Sequence, residues 1–401
     1  MSRALDVIVY GATGFTGRLV AFELCKRADI KVGLAGRNQN KLEALSKQLQ
    51  PVAKCASMEV MTVAVTDTLA LEKMCRRGRV VIACAGPFSV SGMPVADACV
   101  AAGTHYVDIT GEFPFVRSVV EKHHVAAENA KVFVVPCGGF DCVASDIANH
   151  YTHRVAAQRA TPPEIRAVEA AVGVKGGASR GTMESIAHLL RTVSRKDLHP
   201  YCLVPQQERK GRALPPREMS EGHVAFHPHF NKYRGPFVMA PVNERVVRRS
   251  DYLAGRNVAY SEMSLGSWTQ GQRDRLAAAA LLAARYDSGL ALLRRFMFPA
   301  EGDGPSDAVR QGGGFAVKTL AYSTARGSLD ASAKPVASAG IAFNRDAYTF
   351  TAVSSVETAL AIIQGETMPG VQGGVLTPAA AVGDALLARL KSRGMKFKSR
   401  L

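Results

Sequence analysis

The residues with the clearest chemical meaning lie near the start of the chain, in the run Gly11-Ala12-Thr13-Gly14-Phe15-Thr16-Gly17. Glycines at this spacing, after an apolar strand and before a helix, allow a tight turn, close approach of the backbone to a pyrophosphate, and packing of the helix on the strand. The free N–H groups at the start of that helix attract negative charge. The sequence therefore predicts a dinucleotide-binding turn, with contacts from Gly11, Thr13, Gly14, Phe15, Thr16 and Gly17.

The residue after the second predicted strand indicates which dinucleotide is bound. An NAD site usually carries Asp or Glu here, which binds the ribose hydroxyl groups. This chain has Arg37, whose planar guanidinium group suits a 2′-phosphate and can stack on adenine. We therefore predict NADP(H) as the cofactor. The alternative is that Arg37 is an ordinary solvated charge at a strand end.

Two further strand ends are predicted to line the same cleft, because ligands bind beyond the carboxyl ends of parallel strands. Asp67 follows the third strand and is a candidate contact for the adenine side of the cofactor. Ala85, Gly86 and Pro87 follow the fourth strand, where Gly86 permits close approach of the nicotinamide ribose. Each of these residues has an alternative role as a helix cap or turn residue.

Candidates for acid–base chemistry follow the strands nearest the expected nicotinamide. They are Tyr106, Asp108, Glu112 and Asp141, and among them Glu112 and Asp141 are the better candidates. Reduction of an activated double bond needs a group that delivers a proton and a group that stabilises an enolate oxygen. The alternative for each residue is a helix cap or a hydrogen bond between domains.

Two groups of residues in the second half are candidates for binding. Arg180, Gly181 and Thr182 begin a predicted helix whose N-terminus and guanidinium group could hold an acidic substrate group, although a plain N-cap role for Thr182 is the alternative. The histidines have a spacing that could seat a metal ion, but they lie in a Pro-rich loop without a nearby Cys, Asp or Glu, so no metal site is predicted. These histidines are His223, His227 and His229.

These residues need a parallel sheet to position them, and the first third of the chain alternates short apolar runs with helical stretches. The predicted strands are Asp6–Tyr10, Lys31–Ala35, Glu59–Ala64, Val80–Cys84, Tyr106–Ile109 and Val132–Pro136. The predicted helices are Thr16–Ala28, Gln39–Gln50, Thr68–Arg76, Pro94–Ala102 and Phe115–Asn129. The expected fold class is α/β, a Rossmann-type doubly wound parallel sheet with a second α+β domain that carries a smaller sheet.

The domain organisation predicted from this rhythm has three regions. Residues 1–148 form the NADP-binding domain, residues 149–345 an α+β domain for substrate binding and dimerisation, and residues 346–401 C-terminal helices that pack back on the first domain. The α+β domain is expected to hold a pair of strands, and the C-terminal region a pair of helices. These elements are Phe315–Tyr322, Ala337–Phe343, Tyr348–Gln364 and Thr377–Leu390.

The net charge of +16 lies almost entirely after residue 150. A basic surface attracts anionic lipid headgroups, acidic substrates or nucleic acid, but no groove-reading motif or set of stacking aromatic residues supports nucleic acid. The segment Leu276–Phe298 is predicted to be helical, with an Ala- and Leu-rich face and several arginines. It is expected either to contact a membrane or lipid-droplet surface or to pack on the protein's own core or a subunit partner. No apolar run is long enough to span a bilayer.

Several of these motifs together resemble those of the saccharopine dehydrogenase-like oxidoreductases, and look most similar to the trans-acting enoyl reductases of bacterial glycolipid synthesis. Those enzymes use NADPH to reduce a double bond in lipid chains grown by a polyketide synthase. The resemblance implies an NADP(H)-dependent oxidoreductase that acts on a lipid or acyl substrate, and it supports Gly181 and Thr182 as substrate contacts. The matching runs are Tyr10–Gly17, Ala35–Arg37, Gly86–Phe88, Tyr106–Glu112, Cys137–Asp146, Pro236–Phe237, Val246–Ser250, Tyr260–Met263 and Gly374–Ala381.

The chain departs from the family's pattern at two positions. Cys142 stands where the family has a serine and Ala144 where it has a proline, whereas Asp141 and Asp146 are kept. Because no clear acid–base pair is present, two alternatives to a lipid-reducing enzyme stay open. One is a catalytically silent NADP-binding protein on a membrane or lipid droplet, and the other is a true saccharopine-type amino-acid dehydrogenase.

The two ends of the sequence carry expectations about location. The strand predicted from Asp6 leaves no room for an N-terminal signal or transit peptide. The last residues, Ser399-Arg400-Leu401, are a close variant of the Ser-Lys-Leu address that the peroxisomal import receptor reads. We therefore expect a peroxisome-type organelle, with a lipid droplet, a mitochondrion or membrane-associated cytoplasm as alternatives. A homodimer is also expected.

Overall fold

Two seven-stranded sheets organise the residues described in the computed structural model, which are 3–205, 208, 224–296, 298–300, 303–330 and 332–400. The first sheet is parallel and has the strand order β13-β6-β5-β4-β1-β2-β3. Its strands are β1 (Leu5–Tyr10), β2 (Lys31–Gly36), β3 (Ser57–Thr62), β4 (Gly78–Ala83), β5 (His105–Asp108), β6 (Phe133–Val135) and β13 (Gly374–Val375). The prediction of a Rossmann-type doubly wound sheet is confirmed.

Helices cover the first sheet, as parallel strands require. They are α1 (Phe15–Cys25), α2 (Gln39–Leu49), α3 (Thr68–Arg77), α4 (Phe88–Ala102) and α5 (Phe113–Asn129). Helix α6 (Phe140–Ala156) follows β6 and packs on the second sheet instead. Strand β1 has the apolar run Val7-Ile8-Val9, which is completely buried, because this central strand has neighbours on both faces. Its carboxyl end leads directly into the glycine-rich turn.

The second sheet is mixed, with the order β14-β12-β11-β7-β10-β9-β8, and β7 and β10 are its parallel pair. Its strands are β7 (Ala167–Lys175), β8 (Ala225–His227), β9 (Lys232–Gly235), β10 (Ala259–Gly266), β11 (Gly314–Tyr322), β12 (Ala337–Phe343) and β14 (Lys396–Arg400). The remaining helices are α7 (Arg180–Thr192), α8 (Ala240–Leu253), α9 (Trp268–Leu281), α10 (Asp287–Phe296), α11 (Asp307–Gln311), α12 (Ala347–Ile363) and α13 (Pro378–Ser392).

The two sheets share one apolar core. Helix α12 packs on α1 and the first sheet, whereas α6 packs on the second sheet and on α8 and α13. Between them, the Phe140 ring lies 4.6 Å from that of Phe315 and the Phe315 ring lies 4.8 Å from that of Phe350, measured between ring centroids. Burial of such aromatic rings contributes strongly to packing. The start of α6 is therefore fixed between the sheets.

Three features differ from the sequence-based expectations. Helix α4 starts at Phe88 rather than at Pro94, which lies inside the helix. The segment Leu276–Phe298 is not one helix, because a 3₁₀ turn at Leu282–Arg285 separates α9 from α10, and Phe298 follows both. Residues 346–401 contribute a strand to each sheet as well as two helices. The two strands of this last region pair with segments far away in the chain, and local sequence patterns do not reveal such pairings.

Ser399 and Arg400 lie in β14, where they pair with Ala339 and Ser338 of β12. Leu401 lies outside the described residues. The peroxisomal address therefore stays a prediction. Across the described portion of the chain, no helix combines the length and apolar character needed to cross a bilayer.

Candidate functional site

Two glycines of the turn after β1 are required by the protein's own packing. Gly11 has a φ of +81°, and a Cβ there would lie 2.8 Å from the backbone nitrogen of Ala85. A Cβ on Gly17 would lie 2.2 Å from the carbonyl oxygen of Gly11, because α1 packs directly against the turn. Larger residues at these positions would displace the turn itself.

Gly14 is different, because the space beside it is not filled by protein. It is exposed, it stands at the N-cap of α1, and a Cβ there would meet only the Gly11 carbonyl oxygen, at 3.4 Å. The first amides of α1 have no partner within the helix and point towards this space. The turn therefore forms a cradle for a phosphate group, as the dinucleotide prediction requires.

Arg37 follows β2, next to this cradle. Its side chain is exposed, and within the described portion of the chain it has no hydrogen bond or ion pair. The next residue, Asn38, caps α2 by accepting a hydrogen bond from the Lys41 amide at 3.0 Å. The guanidinium group of Arg37 is thus available for a 2′-phosphate.

Replacing Arg37 with glutamate is expected to weaken NADPH binding by about a hundredfold and to leave NADH binding within a few-fold, because the change removes one charge-assisted contact and adds repulsion. Dissociation constants for both cofactors, measured by titration calorimetry, check this. Arg166→Glu, at another exposed arginine, is the matched control. Equal losses for NADPH and NADH would show that Arg37 does not contact the 2′-phosphate.

Glu112 anchors the loop at the end of β4. Its Oε1 accepts a hydrogen bond from the Phe88 amide at 2.8 Å, and its Oε2 accepts one from the Ser89 amide at 3.0 Å. The Ser185 hydroxyl of α7 donates to the same carboxylate at 3.2 Å. This buried carboxylate caps α4, which explains why the helix starts at Phe88. The geometry favours a positioning role for Glu112 over proton transfer.

Tyr106 lies inside the first sheet and does not face the cleft. Its hydroxyl donates to Asp108 at 2.9 Å, and both residues are completely buried. Asp108 also accepts hydrogen bonds from the amides of Thr110 and Cys137, each at 2.9 Å. Burial raises the pKa of Asp108 to about 7. This pair joins the ends of β5 and β6.

Asp141 is the carboxyl group with the fewest partners in this region. It lies in the first turn of α6, next to Phe140, whose amide donates to the Thr351 hydroxyl at 2.9 Å. Burial raises the pKa of Asp141 to about 7, and among the described residues its carboxyl group has no hydrogen-bond partner. A carboxyl group that is half protonated near neutral pH is suited to general acid catalysis.

Helix α7 lies across the carboxyl edge of the first sheet. At its start, the Tyr348 hydroxyl accepts from the Ser179 amide at 2.6 Å and bonds to the Thr182 hydroxyl at 2.7 Å. The Tyr348 ring packs edge-on against Phe15 of the glycine-rich turn, with 5.1 Å between centroids. One turn further on, Ser185 reaches Glu112. The helix thus spans the cleft from the end of β1 to the end of β4.

The candidate substrate residues at the start of α7 have different surroundings. Ser179, not Thr182, is the N-cap, since its side chain accepts a hydrogen bond from the Thr182 amide at 3.2 Å. Gly181 is exposed. Arg180 is occupied, because its side chain bonds to Glu184 at 2.8 Å and to the Pro299 carbonyl at 3.1 Å. The Arg180 guanidinium group therefore holds α7 in place instead of facing an acidic substrate.

The other predicted positions have structural partners. Asp67 caps α3 by accepting from the Ala70 amide at 2.9 Å. His227 bonds to Glu169 at 2.8 Å and His229 to the Ala333 carbonyl at 3.0 Å, whereas His223 lies outside the described residues. Within the described ranges, no three His, Cys, Asp or Glu side chains are grouped to hold a metal ion.

Sequence reasoning missed Tyr348 and Ser185, which link α7 to the cofactor turn and to Glu112. Neither lies in a local motif. Tyr348 bonds to residues more than 160 positions away in the chain. Only a prediction of contacts between the two domains would have identified them.

With this geometry established, comparison with known proteins identifies the relatives. Residues 7–135 match the family model described as the saccharopine dehydrogenase NADP binding domain, which confirms the cofactor prediction. The chain is 32% identical over 416 residues to a trans-acting enoyl reductase of Mycobacterium ulcerans, covering 98% of this chain and 97% of the relative. A trans-acting enoyl reductase of Mycobacterium tuberculosis is 31% identical over 430 residues, again covering 98% and 97%.

The fold also matches a solved structure. Apo saccharopine dehydrogenase from Saccharomyces cerevisiae aligns with a TM-score of 0.57 and 14% identity, covering 99% of this chain and 100% of that one. At this identity the likeness concerns the fold alone. It extends over both sheets, so the second domain is shared as well as the nucleotide-binding one.

Proposed function

Because the chain belongs to the saccharopine dehydrogenase-like oxidoreductases and is an NADP-dependent enzyme of that family, we propose that it reduces a carbon–carbon double bond next to a carbonyl group in a lipid or other acyl substrate. The observation that carries this proposal is the full-length similarity to trans-acting enoyl reductases, which includes the second domain. The second domain supplies α7, the element that covers the cofactor cleft.

The residues of the first sheet fit NADPH in this reaction. Gly14 and the start of α1 would hold the pyrophosphate, and Arg37 the 2′-phosphate. Bound there, NADPH would supply the hydride that the carbon distal to the carbonyl group takes up, which would leave an enolate for the protein to protonate. Collapse of that enolate returns the electrons to the carbon next to the carbonyl, which then forms a bond to a proton.

Asp141 is the residue we assign to donate that proton. Its carboxyl group is protonated in a large fraction of molecules near neutral pH, because burial raises its pKa to about 7. Glu112 and Tyr106 are less suited, since the carboxylate of Glu112 caps α4 and the hydroxyl of Tyr106 is bonded to Asp108 inside the sheet. A proton from solvent would restore Asp141 after each turnover.

A surface next to the cleft supports a lipid substrate. Helices α7, α9 and α10 form what we call the cap. A small apolar cluster joins α7, the 3₁₀ turn that follows α9, and α10, and an ion pair of 2.7 Å between Arg294 and Glu184 joins α10 to α7. On the outside of the cap, four large apolar side chains are exposed by between 61% and 72%, among exposed arginines. This combination suits contact with an anionic lipid surface. The four residues are Leu276, Tyr286, Leu292 and Phe296.

The direct test is to incubate the protein with NADPH and enoyl thioesters of increasing chain length and to follow cofactor oxidation and the saturated product by mass spectrometry. We expect turnover with long-chain enoyl substrates. Activity only with a keto acid and an amino acid would instead indicate a saccharopine-type enzyme. Cofactor binding without turnover of either class would contradict the proposed reaction.

The same assay also tests whether the cap contacts a lipid surface. With the substrate embedded in anionic vesicles, Leu292→Asp is expected to lower the rate about tenfold, whereas the rate with a short soluble substrate stays unchanged. Val125→Asp, at an equally exposed residue on α5, is the control. If both variants behave alike, the cap does not contact the lipid surface.

A further inference from the structure

A second cavity lies away from the cofactor cleft, between α1, α12 and the end of α13. Its volume is about 480 Å³, which is within the usual range for a small-molecule site. It shares no residue with the glycine-rich turn, with Arg37 or with Ala85–Pro87. The cavity is therefore separate from the site at which we place the cofactor.

One side of the cavity is apolar. Leu19 and Phe22 of α1 face Phe343, Ala352 and Val353, which belong to β12 and α12. Phe22 is 39% exposed although it is a large apolar residue, and the cavity lies beside it. Covering a wall of this composition with an alkyl chain removes apolar surface from water, which favours binding.

The other side of the cavity is cationic. Lys26, Arg310, Arg345 and Arg393 line it, against the single carboxylate of Glu23. Glu23 is already bonded to Arg393 and lies 3.6 Å from Lys26. Positive charge is thus in excess at this rim, which favours an anionic ligand.

Two of these arginines have unused hydrogen-bonding capacity. Arg345 is exposed and has no ion pair or hydrogen bond within the described ranges. Arg310 pairs with the exposed Asp307, but its Nε is buried and finds no acceptor among the described residues. An ion pair with an exposed carboxylate such as Asp307 is weak in water, so the guanidinium groups of Arg310 and Arg345 can both bind an anion placed between them.

From these contacts we infer that the cavity binds a single-chain amphipathic anion, with its alkyl chain on the Phe22 and Val353 wall and its phosphate or carboxylate group at Arg310 and Arg345. Neither half of such a ligand is sufficient alone. The charge excess selects the headgroup, and the apolar wall selects the chain. This inference does not rest on the proposed reaction.

The test uses decyl phosphate below its micelle concentration, with titration calorimetry on the full-length protein saturated with NADP⁺. We expect one binding site, much weaker binding of inorganic phosphate, and much weaker binding of decanol. Inorganic phosphate that binds as tightly as decyl phosphate would show that the cavity recognises only the anion. That result would overturn the assignment of the alkyl chain to the apolar wall. Binding of decyl phosphate to the cofactor-free protein alone, and not to the protein saturated with NADP⁺, would place it in the cofactor cleft and also overturn the inference.

Variants locate the site. Arg345→Ala is expected to weaken decyl phosphate binding roughly tenfold through loss of the charge-assisted contact, and Phe22→Ala to weaken it several-fold through loss of the wall. Both residues are exposed, so the fold should persist, which a thermal melt checks. Arg166→Ala, the control, should bind as the unaltered protein does. Unchanged affinity in both Arg345→Ala and Phe22→Ala would refute the site, whatever the outcome of the reductase assay.

Discussion

Gly14→Val is expected to abolish measurable binding of both NADPH and NADH, with affinity lowered by at least about a hundredfold. The valine side chain would fill the space in front of α1 that a pyrophosphate must occupy, and the helix amides would no longer reach the phosphate oxygens. The folded state should tolerate the change, because a Cβ at this position meets only the Gly11 carbonyl oxygen, at 3.4 Å. Calorimetric titration with each cofactor, together with a thermal melt, measures both effects.

Gly173→Val is the matched control for this variant. Gly173 lies in β7, it is exposed, and no atom lies within 4 Å of the position that its Cβ would take. The same substitution there should leave both affinities unchanged. A Gly14→Val protein that is folded and still binds NADPH normally would mean that the cofactor does not lie in the glycine-rich turn.

The contrast between Gly14 and its neighbours shows what the sequence could and could not reveal. The spacing of Gly11, Gly14 and Gly17 predicted the turn, because each requirement of a strand–turn–helix unit is local. The sequence did not distinguish their roles. Gly11 and Gly17 are needed for contacts within the protein, whereas Gly14 leaves space for a ligand, and this difference depends on where Ala85 and α1 lie.

Residues whose roles depend on distant contacts were the least predictable. Glu112 was a reasonable candidate acid by position, yet its carboxylate caps a helix that starts 24 residues earlier in the chain. Arg180 was placed correctly at a helix start, but its partner Pro299 comes from a segment more than 100 residues later. Tyr348, which connects α7 to the glycine-rich turn, had no local signal. The half-buried carboxyl group of Asp141 could be selected only when the partners of the other candidates were known.

Asp141→Asn is expected to lower kcat/KM for the enoyl substrate by about 10²- to 10⁴-fold while leaving NADPH affinity unchanged, since a positioned general acid contributes on that scale. Asp146→Asn is the matched control. Burial raises the pKa of Asp146 to about 7 as well, but that side chain accepts hydrogen bonds from the Ser250 hydroxyl and, at 2.8 Å, from the Ala379 amide. The Asp146 variant should lose stability and, where folded, keep kcat/KM within a few-fold.

The pH dependence gives a second measurement of the same group. Because the protonated form of Asp141 donates, kcat/KM should be constant below pH 7 and fall about tenfold per pH unit above it, as the carboxyl group loses its proton. The Asp141→Asn variant should lack this decline. A wild-type profile that stays level from pH 6 to 9 would exclude Asp141 as the proton donor.

The Asp141 carboxyl group should also make the free energy of unfolding depend on pH. The pKa of an ordinary aspartate is 3.8 and that of Asp141 in the folded protein is about 7, so between these values the unfolded chain releases a proton that the folded protein keeps. The free energy of unfolding of the wild type therefore falls as pH rises through this window, by up to about 1.4 kcal/mol per pH unit for this group. An asparagine side chain cannot ionise, so relative to the wild type the Asp141→Asn variant should gain stability from pH 4 to 7 and keep that gain at higher pH. Asp108, Asp146 and Glu262, whose pKa values burial also raises to about 7, are present in both proteins and cancel in the difference. A variant that loses activity but gains stability at pH 8 would identify Asp141 as a desolvated carboxyl group that costs folding free energy and serves the reaction.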